Sequence, residues 1–315
     1  MWTGSEDLVA RYLVKRILSA LVTIWVTTIA VVLLIHLVPG DPVKIMFAQS
    51  QSTTPEQLET VRHNLGLDRP IYEQYVIYMG RVFHGDFGKT IRGDQPILPL
   101  LLVRLPYTLA LAVSSLVVAT VVGLGLGFLA AYKRGTMVDT ISMMLAIGGV
   151  SIPLFWLGQI LILVFAVRLS LFQVAGSDWR SLILPALTLG VTNAAVVARL
   201  TRSTMIDIFN QDYIRTAWAK GLPARIVLSR HALRAGLVPI VTILGLQFTY
   251  TMGGAIIVEN VFSWNGIGKL AVQAIFQRDY PLIQGFILTF ACLVAGVSLV
   301  MDVLYAFLDP RISHG

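Results

Sequence analysis

Charged residues are scarce in this chain, and their scarcity sets its class. Only 13% of the 315 residues are charged, whereas 56% are hydrophobic and the mean hydropathy is +0.76. A water-soluble surface cannot be built from this composition, so a soluble globular protein is excluded. The composition predicts an integral membrane protein with several spans.

Cysteine and catalytic motifs are also lacking. Cys292 is the only cysteine, so it has no partner for an intrachain disulfide or for a metal site. The sequence holds no HExxH, no GxSxG and no Cys/His cluster among its five histidines. We therefore predict no catalytic residue and no metal site, which leaves zinc protease, serine hydrolase and other membrane protease activities without support.

A phosphate-binding loop is missing as well, although two stretches imitate one. Gly88 to Thr90 match the end of the motif GxxxxGK[ST], but the first glycine of that motif would fall at Phe83. The stretch Gly268 to Leu270 ends without the hydroxyl that binds magnesium. We predict that this chain binds no nucleotide and carries no cofactor of its own.

What the sequence does contain is a series of long apolar stretches, close to the ~20 residues that a hydrocarbon core of ~30 Å requires. The first exceeds a signal-peptide core and lacks a small-residue cleavage site, so we expect it to stay as an anchor. The stretches are Ile17 to Val38, Pro106 to Ala131, Ile141 to Val167, Leu182 to Ala198, Leu237 to Val258 and Leu282 to Leu308. The predicted fold is all-α, a polytopic membrane protein with about six transmembrane helices.

The distribution of lysine and arginine predicts the orientation of these spans. Basic residues precede the first span, follow the second and fill the segment between the fourth and fifth, whereas the loop between the third and fourth carries only Arg168 and Arg180. The positive-inside rule then places both termini in the cytoplasm. The isoelectric point near 9.7 reflects basic loops beside an anionic leaflet, and we predict no nucleic-acid binding.

The loop after the first span, residues 40–102, is predicted to lie outside and to fold as a small helical subdomain. Thr54 fits a helix N-cap, with Pro55 as the first helical residue and Gln57 as the third. A second helix is predicted from Ile71 to about Gly85. We expect this subdomain to pack against the outer ends of the membrane helices, either as a structural cap or as a contact for a delivering partner or a gate.

Several glycines in the second and third spans permit close approach of helix backbones. They are Gly123, Gly125, Gly127, Gly148 and Gly149. We predict that they serve helix packing rather than lining a pore.

One proline and three ionisable residues lie in or near the predicted spans. Pro153 should kink the third span and is a candidate hinge. Glu259 and Arg199 fall at predicted helix ends, where a charge is readily solvated. Asp302 lies inside the sixth span, where it either reaches the interface, pairs with Arg311 or handles substrate. Pro153, Glu259 and Asp302 are our candidate pore or gate residues.

The segment between the fourth and fifth spans, Arg199 to Arg234, holds seven basic and two acidic residues. A short helix is predicted there, with Asp212 as N-cap and with Gly221 and Pro223 ending it. Its exposed face is predicted to combine aromatic and small side chains: Tyr213, Ala217 and Trp218. Such a face suits docking into a groove on a soluble protein or lying on an anionic leaflet, and the residue chemistry leaves both open.

The run RTAWAKG from Arg215 to Gly221, with HALR ten residues later and Pro239 opening the next helix, resembles the EAA loop of membrane subunits in binding-protein-dependent ABC importers. The dipeptide, oligopeptide and nickel permease branch is the most similar. Further motifs of that branch are PGDP at Pro39 to Pro42, LGLDRP at Leu65 to Pro70, GDFG at Gly85 to Gly88, SIPLFWLG at Ser151 to Gly158, ILPALTLG at Ile183 to Gly190 and IIVENVFSWNGIGKL at Ile256 to Leu270.

This resemblance implies a permease core at residues 103–315, behind an N-terminal part at 1–39 and the loop subdomain at 40–102. The coupling loop would occupy about 199–236 and form a helix that sits in an ATPase subunit. The residues carried over to that contact are Tyr213, Arg215, Thr216, Ala217, Trp218, Lys220 and Gly221. Arg215 replaces the acidic residue of the EAA pattern, and Trp218 stands where the branch often has arginine.

The resemblance also implies partners and cargo. They would be a homologous second permease, two ABC ATPases that bind ATP and magnesium, and an outer substrate-binding protein, assembled in the bacterial or archaeal cytoplasmic membrane. The cargo would be a dipeptide, an oligopeptide or glutathione, and a nickel or metal-chelate permease is the alternative. A stand-alone secondary transporter is the rival class; it predicts intramembrane charges and an internal repeat, and neither is clear here.

Overall fold

The structure, a computed structural model, describes residues 3–37, 43–44, 54–64, 68–91, 93–176 and 178–308. Within these ranges the chain is helical apart from turns and one isolated antiparallel bridge between Lys89 and Pro96. The prediction of an all-α fold is therefore confirmed. The PGDP motif at Pro39 to Pro42 and the first half of LGLDRP lie outside the described residues.

The described helices follow one another along the chain. In chain order they are α1 (Thr3–Leu37), α2 (Pro55–Asn64), α3 (Ile71–Phe83), α4 (Ile97–Tyr132), α5 (Met137–Ser151), α6 (Leu154–Leu161, continued by the π-helical Ile162–Arg168), α7 (Trp179–Phe209), α8 (Asp212–Ala219), the turn Ala224–Ile226 with the π-helical Val227–Ala232, α9 (Leu233–Val261), α10 (Ile267–Gln277) and α11 (Tyr280–Leu308).

Five of the described helical segments are long and apolar enough to cross a membrane, and the bent pair α5 and α6 makes a sixth. About six transmembrane helices were predicted, and this is confirmed. The fourth span is much longer than the predicted Leu182 to Ala198, because α7 covers 31 residues and is the most buried of the five. Its polar residues lower the local hydropathy but lie inside the bundle, where they find partners.

The third span is broken rather than kinked. A continuous helix from Ile141 to Val167 was predicted, but α5 ends at Ser151, α6 begins at Leu154, and the two meet at 101°. Ile152 is extended, as expected for a residue before proline, and Pro153 caps α6. Because Pro153 has no N–H, it cannot continue the hydrogen bonding of α5, so the predicted kink becomes a joint.

One compact unit comprises residues 10–106 and 266–299. In it, the hydroxyl of Tyr75 on α3 lies 3.0 Å from that of Thr28 on α1, and the Ile91 N–H donates to Asp279 ahead of α11 at 2.9 Å. The loop thus contacts α1 and the start of α11, and its position outside the membrane stays a prediction. Its limits at 40 and 102 stay a prediction, since the loop shares this unit with parts of α1, α4 and α11.

The predicted start of the loop subdomain is confirmed in detail. The Thr54 N–H donates to Gln57 Oε1 at 3.0 Å, and the Gln57 N–H donates to Thr54 Oγ1 at 3.4 Å. This reciprocal pair is a capping box, with Pro55 as the first helical residue. The second predicted helix corresponds to α3.

The other unit comprises residues 107–265 together with both ends of the chain. Its helices α4 and α7 pack backbone to backbone: a Cβ on Gly123 would lie 2.7 Å from the Cβ of Val197, and one on Gly127 would strike the Ala198 carbonyl oxygen. The predicted packing role is right for these two glycines. Gly149 also fits it, since a Cβ there would lie 3.1 Å from the carbonyl oxygen of Val191 on α7.

For the other two glycines the structure shows no packing contact of this kind. A Cβ on Gly125 or Gly148 would meet no atom of the described residues within 4 Å. Gly125 lies two residues from Gly123 and from Gly127, which places it on a different side of α4.

Candidate coupling helix and intramembrane polar sites

The helix α8 is short, and its start differs by one residue from the prediction. Gln211, in an extended conformation, is the N-cap, and it makes no side-chain capping bond. Asp212, the predicted cap, is the first helical residue and lies 3.7 Å from the Arg215 guanidinium across one turn. This pair is exposed on both sides, so its contribution to stability is small.

The predicted end of α8 at Gly221 is confirmed. Gly221 has φ +74°, a left-handed conformation that glycine adopts without a Cβ penalty. The Gly221 N–H donates to the Trp218 carbonyl at 3.0 Å, and the Leu222 N–H donates to the Ala217 carbonyl at 3.4 Å. These two bonds form a Schellman motif, which satisfies carbonyls that the helix end leaves open.

One face of α8 is anchored to the rest of its unit. Ile214 and Ala217, three residues apart and therefore on the same side, are 1% and 5% exposed. They belong to a buried cluster that we call the coupling core, formed by Ala131, Met205, Ile208, Ile214, Ala217, Val227, Ala232 and Ile240. The prediction that Ala217 shares the exposed face is wrong, because its side chain holds α8 to the end of α7 and to the π-helical turn before α9.

The other face of α8 is exposed. Tyr213 and Trp218 keep 47% and 44% of their surface exposed, and the Arg215 side chain is 71% exposed. Thr216, Lys220 and Gly221 are exposed too. Two half-exposed aromatic rings beside cationic side chains, on a helix held from behind, form a surface of the kind that anchors protein interfaces.

The helix that follows begins earlier than predicted. Pro239 was expected to open it, but helical structure starts at Ala224, passes through the π-helical Val227–Ala232 and continues as α9, with Pro239 inside. Neighbouring helices of a membrane bundle tolerate such an interior proline. The basic segment is also shorter than predicted at its start, since Arg199 and the ten residues after it belong to α7.

Glu259 is not solvated at a helix end, contrary to the prediction. It is 0% exposed on α9 and accepts a hydrogen bond from the Thr108 hydroxyl of α4 at 2.6 Å. Beside it, the Trp264 indole N–H donates to the Tyr107 carbonyl at 2.9 Å, and the two rings meet edge to face. These contacts tie Tyr107 and Thr108, inside α4, to the end of α9, and a pore or gate role for Glu259 stays a prediction.

A polar triad missed by the sequence reasoning joins α7 to α9 at mid-helix. The Gln247 amide donates to the Asn193 carbonyl oxygen, and the Asn193 amide donates to the Thr251 hydroxyl, both at 2.7 Å. All three side chains are buried. In the sequence, Asn193 made the fourth span a weak candidate. In the structure, its hydrogen bonds join two helices, and such interhelical bonds stabilise helix pairs in lipid.

An ion pair between α5 and α7 was also missed. Arg202 donates from Nε and Nη2 to the two carboxylate oxygens of Asp139, each at 2.7 Å, and Asp139 is 6% exposed. The two residues are 63 positions apart, so no local pattern relates them. The sequence could have indicated this ion pair only through the presence of two opposite charges in otherwise apolar helices.

The remaining candidates stay predictions. Pro153 is exposed at the α5–α6 break, and Asp302 is partly buried on α11. Arg311, the suggested partner of Asp302, lies outside the described residues.

In the stretch that imitates a phosphate-binding loop, Lys89 Nζ lies 2.7 Å from Asp94, and the Thr90 hydroxyl accepts from the Gln95 N–H. That lysine and threonine therefore stabilise a turn.

Comparisons with known proteins agree with this architecture. The family described as "Binding-protein-dependent transport system inner membrane component" matches residues 123–314, and its N-terminal counterpart matches residues 9–112. The chain is 40% identical over 304 residues to the glutathione transport system permease protein GsiC of Escherichia coli strain K12 and of Shigella dysenteriae serotype 1, covering 96% of this chain and 99% of each relative.

Among solved structures, the inward-facing MetNI methionine ABC transporter is similar in fold. The TM-score is 0.54 at 19% identity, over 67% of this chain and 96% of that one. This structural similarity supports the fold alone. The family match extends over most of the sequence and shows the family. The chain thus belongs to the family of binding-protein-dependent transport system inner membrane components and is a permease subunit of an ABC importer.

Proposed function

We propose that this chain forms half of a translocation pore for short peptides of the glutathione type, and that α8 is its contact with an ATPase subunit. The exposed face of α8, with Tyr213 and Trp218 on a helix anchored by Ile214 and Ala217, is the observation that carries the second part. The 40% identity to glutathione permeases supports the first. A homologous permease, two ATPases and a substrate-binding protein complete the importer.

The mechanism uses the rigid attachment of α8. ATP, held with magnesium by the ATPases, supplies the energy when the ATPase dimer closes and pushes α8. Because Ile214 and Ala217 share the coupling core with Met205 and Ile208 of α7 and with Val227 before α9, the push moves both helices. A rigid-body movement of α7 and α9 would then open the pore toward the predicted outer side.

The docking proposal is tested by Trp218→Ala in the purified importer. Removing an anchor from the centre of an interface costs about 2 kcal/mol or more, so the affinity for the ATPase should fall roughly 30-fold. Affinity is measured by binding of the ATPase to permease in detergent. Trp179→Ala is the matched control, because Trp179 is also an exposed tryptophan but lies at the end of α7 that is far from α8. Equal ATPase binding by both variants would contradict docking through Trp218.

Uptake by proteoliposomes tests the transport proposal. Labelled glutathione and a dipeptide should enter only when ATP, the ATPases and the binding protein are present. Transport by the chain without any ATPase would instead identify a secondary transporter. Uptake of chelated nickel but not of peptides would identify the metal-chelate branch.

A further inference from the structure

The ion pair between Asp139 and Arg202 is built for fixed geometry. Its two 2.7 Å bonds run in parallel, and Asp139 Oδ2 also accepts from the Gly135 N–H at 3.1 Å. Arg202 is 30% exposed along its side chain, so the pair lies at the edge of the bundle rather than in open solvent. A bidentate fork sets both distance and orientation, which a lysine at the same position cannot do.

One end of this pair is next to the coupling core. Met205 follows Arg202 by one turn of α7, and Ile208 by nearly two, and both belong to the coupling core together with Ile214 and Ala217 of α8. A displacement of α8 that moves the end of α7 therefore reaches Arg202 within a turn of rigid helix.

The other end of the pair is the first turn of α5. This helix has 15 residues and so extends about 22 Å before it stops at Ser151, where α6 leaves at 101°. Pro153 provides no N–H to bond back across the break. The helix α5 is thus tied to α7 by Asp139 at one end, packs on α7 through Ala146 and Gly149, and is jointed to α6 at the other end.

We propose that Asp139 and Arg202 are positioning residues that carry the movement of α8 through the end of α7 to α5. The α5–α6 joint then moves together with the ATPases, giving the coupling helix a second path into the membrane besides α7 and α9. This inference rests on the proposed ATPase docking of α8.

The test compares cargo taken up per ATP hydrolysed in proteoliposomes containing the complete importer. Asp139→Asn preserves shape but removes the charge, and Arg202→Lys preserves the charge but removes the fork. Each should lower the ratio of uptake to hydrolysis by about tenfold, within the usual range of coupling between sites. The double variant should be no worse than either single one, because the two residues act as one unit.

Arg199→Gln is the matched control, since Arg199 is exposed one turn earlier on the same helix. It should leave the ratio unchanged. The proposal is overturned if Asp139→Asn and Arg202→Lys keep a normal ratio, or if uptake and hydrolysis fall together with loss of the ATPase from the complex, as a merely structural role requires. Failure of the docking proposal is distinguishable, because it appears in the Trp218→Ala variant, which would then bind the ATPase as tightly as Trp179→Ala does.

Discussion

At the scale of single residues, Gly221 and the membrane glycines meet different requirements. Gly221 has a left-handed backbone conformation, with φ +74°. Its requirement for glycine is conformational rather than steric, because a Cβ there would meet nothing within 4 Å. Gly123 and Gly127 have ordinary helical backbones but no space for a Cβ. The sequence alone does not tell the two requirements apart. It predicts a helix end only at Gly221, because a helical pattern stops there and Pro223 follows.

We expect Gly221→Val to abolish transport while leaving membrane insertion intact. A left-handed conformation costs a non-glycine residue roughly 1–2 kcal/mol, and a β-branched one more, so the end of α8 would be reshaped. Gly221→Asn is the matched control, because asparagine adopts this conformation more readily. Both variants are measured by peptide uptake and by the amount of chain in the membrane fraction. Equal uptake by the two would contradict the conformational explanation.

At the scale of helices, the interface between α4 and α7 is decided by register. Gly123 and Gly127 face Val197 and Ala198, whereas a Cβ on Gly125 would meet none of the described atoms within 4 Å. The sequence shows three glycines at alternate positions and cannot say which side of α4 faces a partner. The apolar residues of α4 show no strong helical periodicity, so the sequence does not predict which side of α4 packs against α7. Only the structure identifies that side.

Gly127→Leu should lower the melting temperature of the chain in detergent, whereas Gly125→Leu should leave it nearly unchanged. A side chain at 127 would strike the Ala198 carbonyl, and overpacking of this kind costs about 1–3 kcal/mol. The two substitutions add the same volume two residues apart on one helix. A similar loss in both variants would show that helix propensity or hydrophobicity, not the α4–α7 contact, is responsible.

The polar residues of α7 show why helix lengths were harder to predict than helix number. Asn193 lowers the hydropathy of the fourth span, and Arg202 lies beyond the predicted end of that span at Ala198. In the bundle they bond to Gln247, Thr251 and Asp139, which lie more than 50 positions away in sequence. Long-range partners of this kind leave no mark on a local window.

At the scale of the whole molecule, the orientation predicted from lysine and arginine governs every proposal about α8. A cysteine at Thr216, introduced together with Cys292→Ser, should react with a membrane-impermeant maleimide only in inverted membrane vesicles. A cysteine at Glu59 on α2 should react only in right-side-out vesicles, because α2 belongs to the predicted outer loop. Labelling of both positions from the same side would overturn the predicted topology.

The sequence by itself determined the class, the approximate number of spans, the capping box at Thr54, the end of α8 at Gly221 and the family. These features depend on composition, on neighbouring residues or on ordered motifs, all of which are local or linear. Only the tertiary structure decided that Ala217 faces inward, that Glu259 is buried, that the third span breaks at Pro153 and that Asp139 pairs with Arg202. Each of these depends on which helices become neighbours, and in a chain whose spans are mostly apolar that choice is made by packing and by the few polar groups that pair inside the bundle.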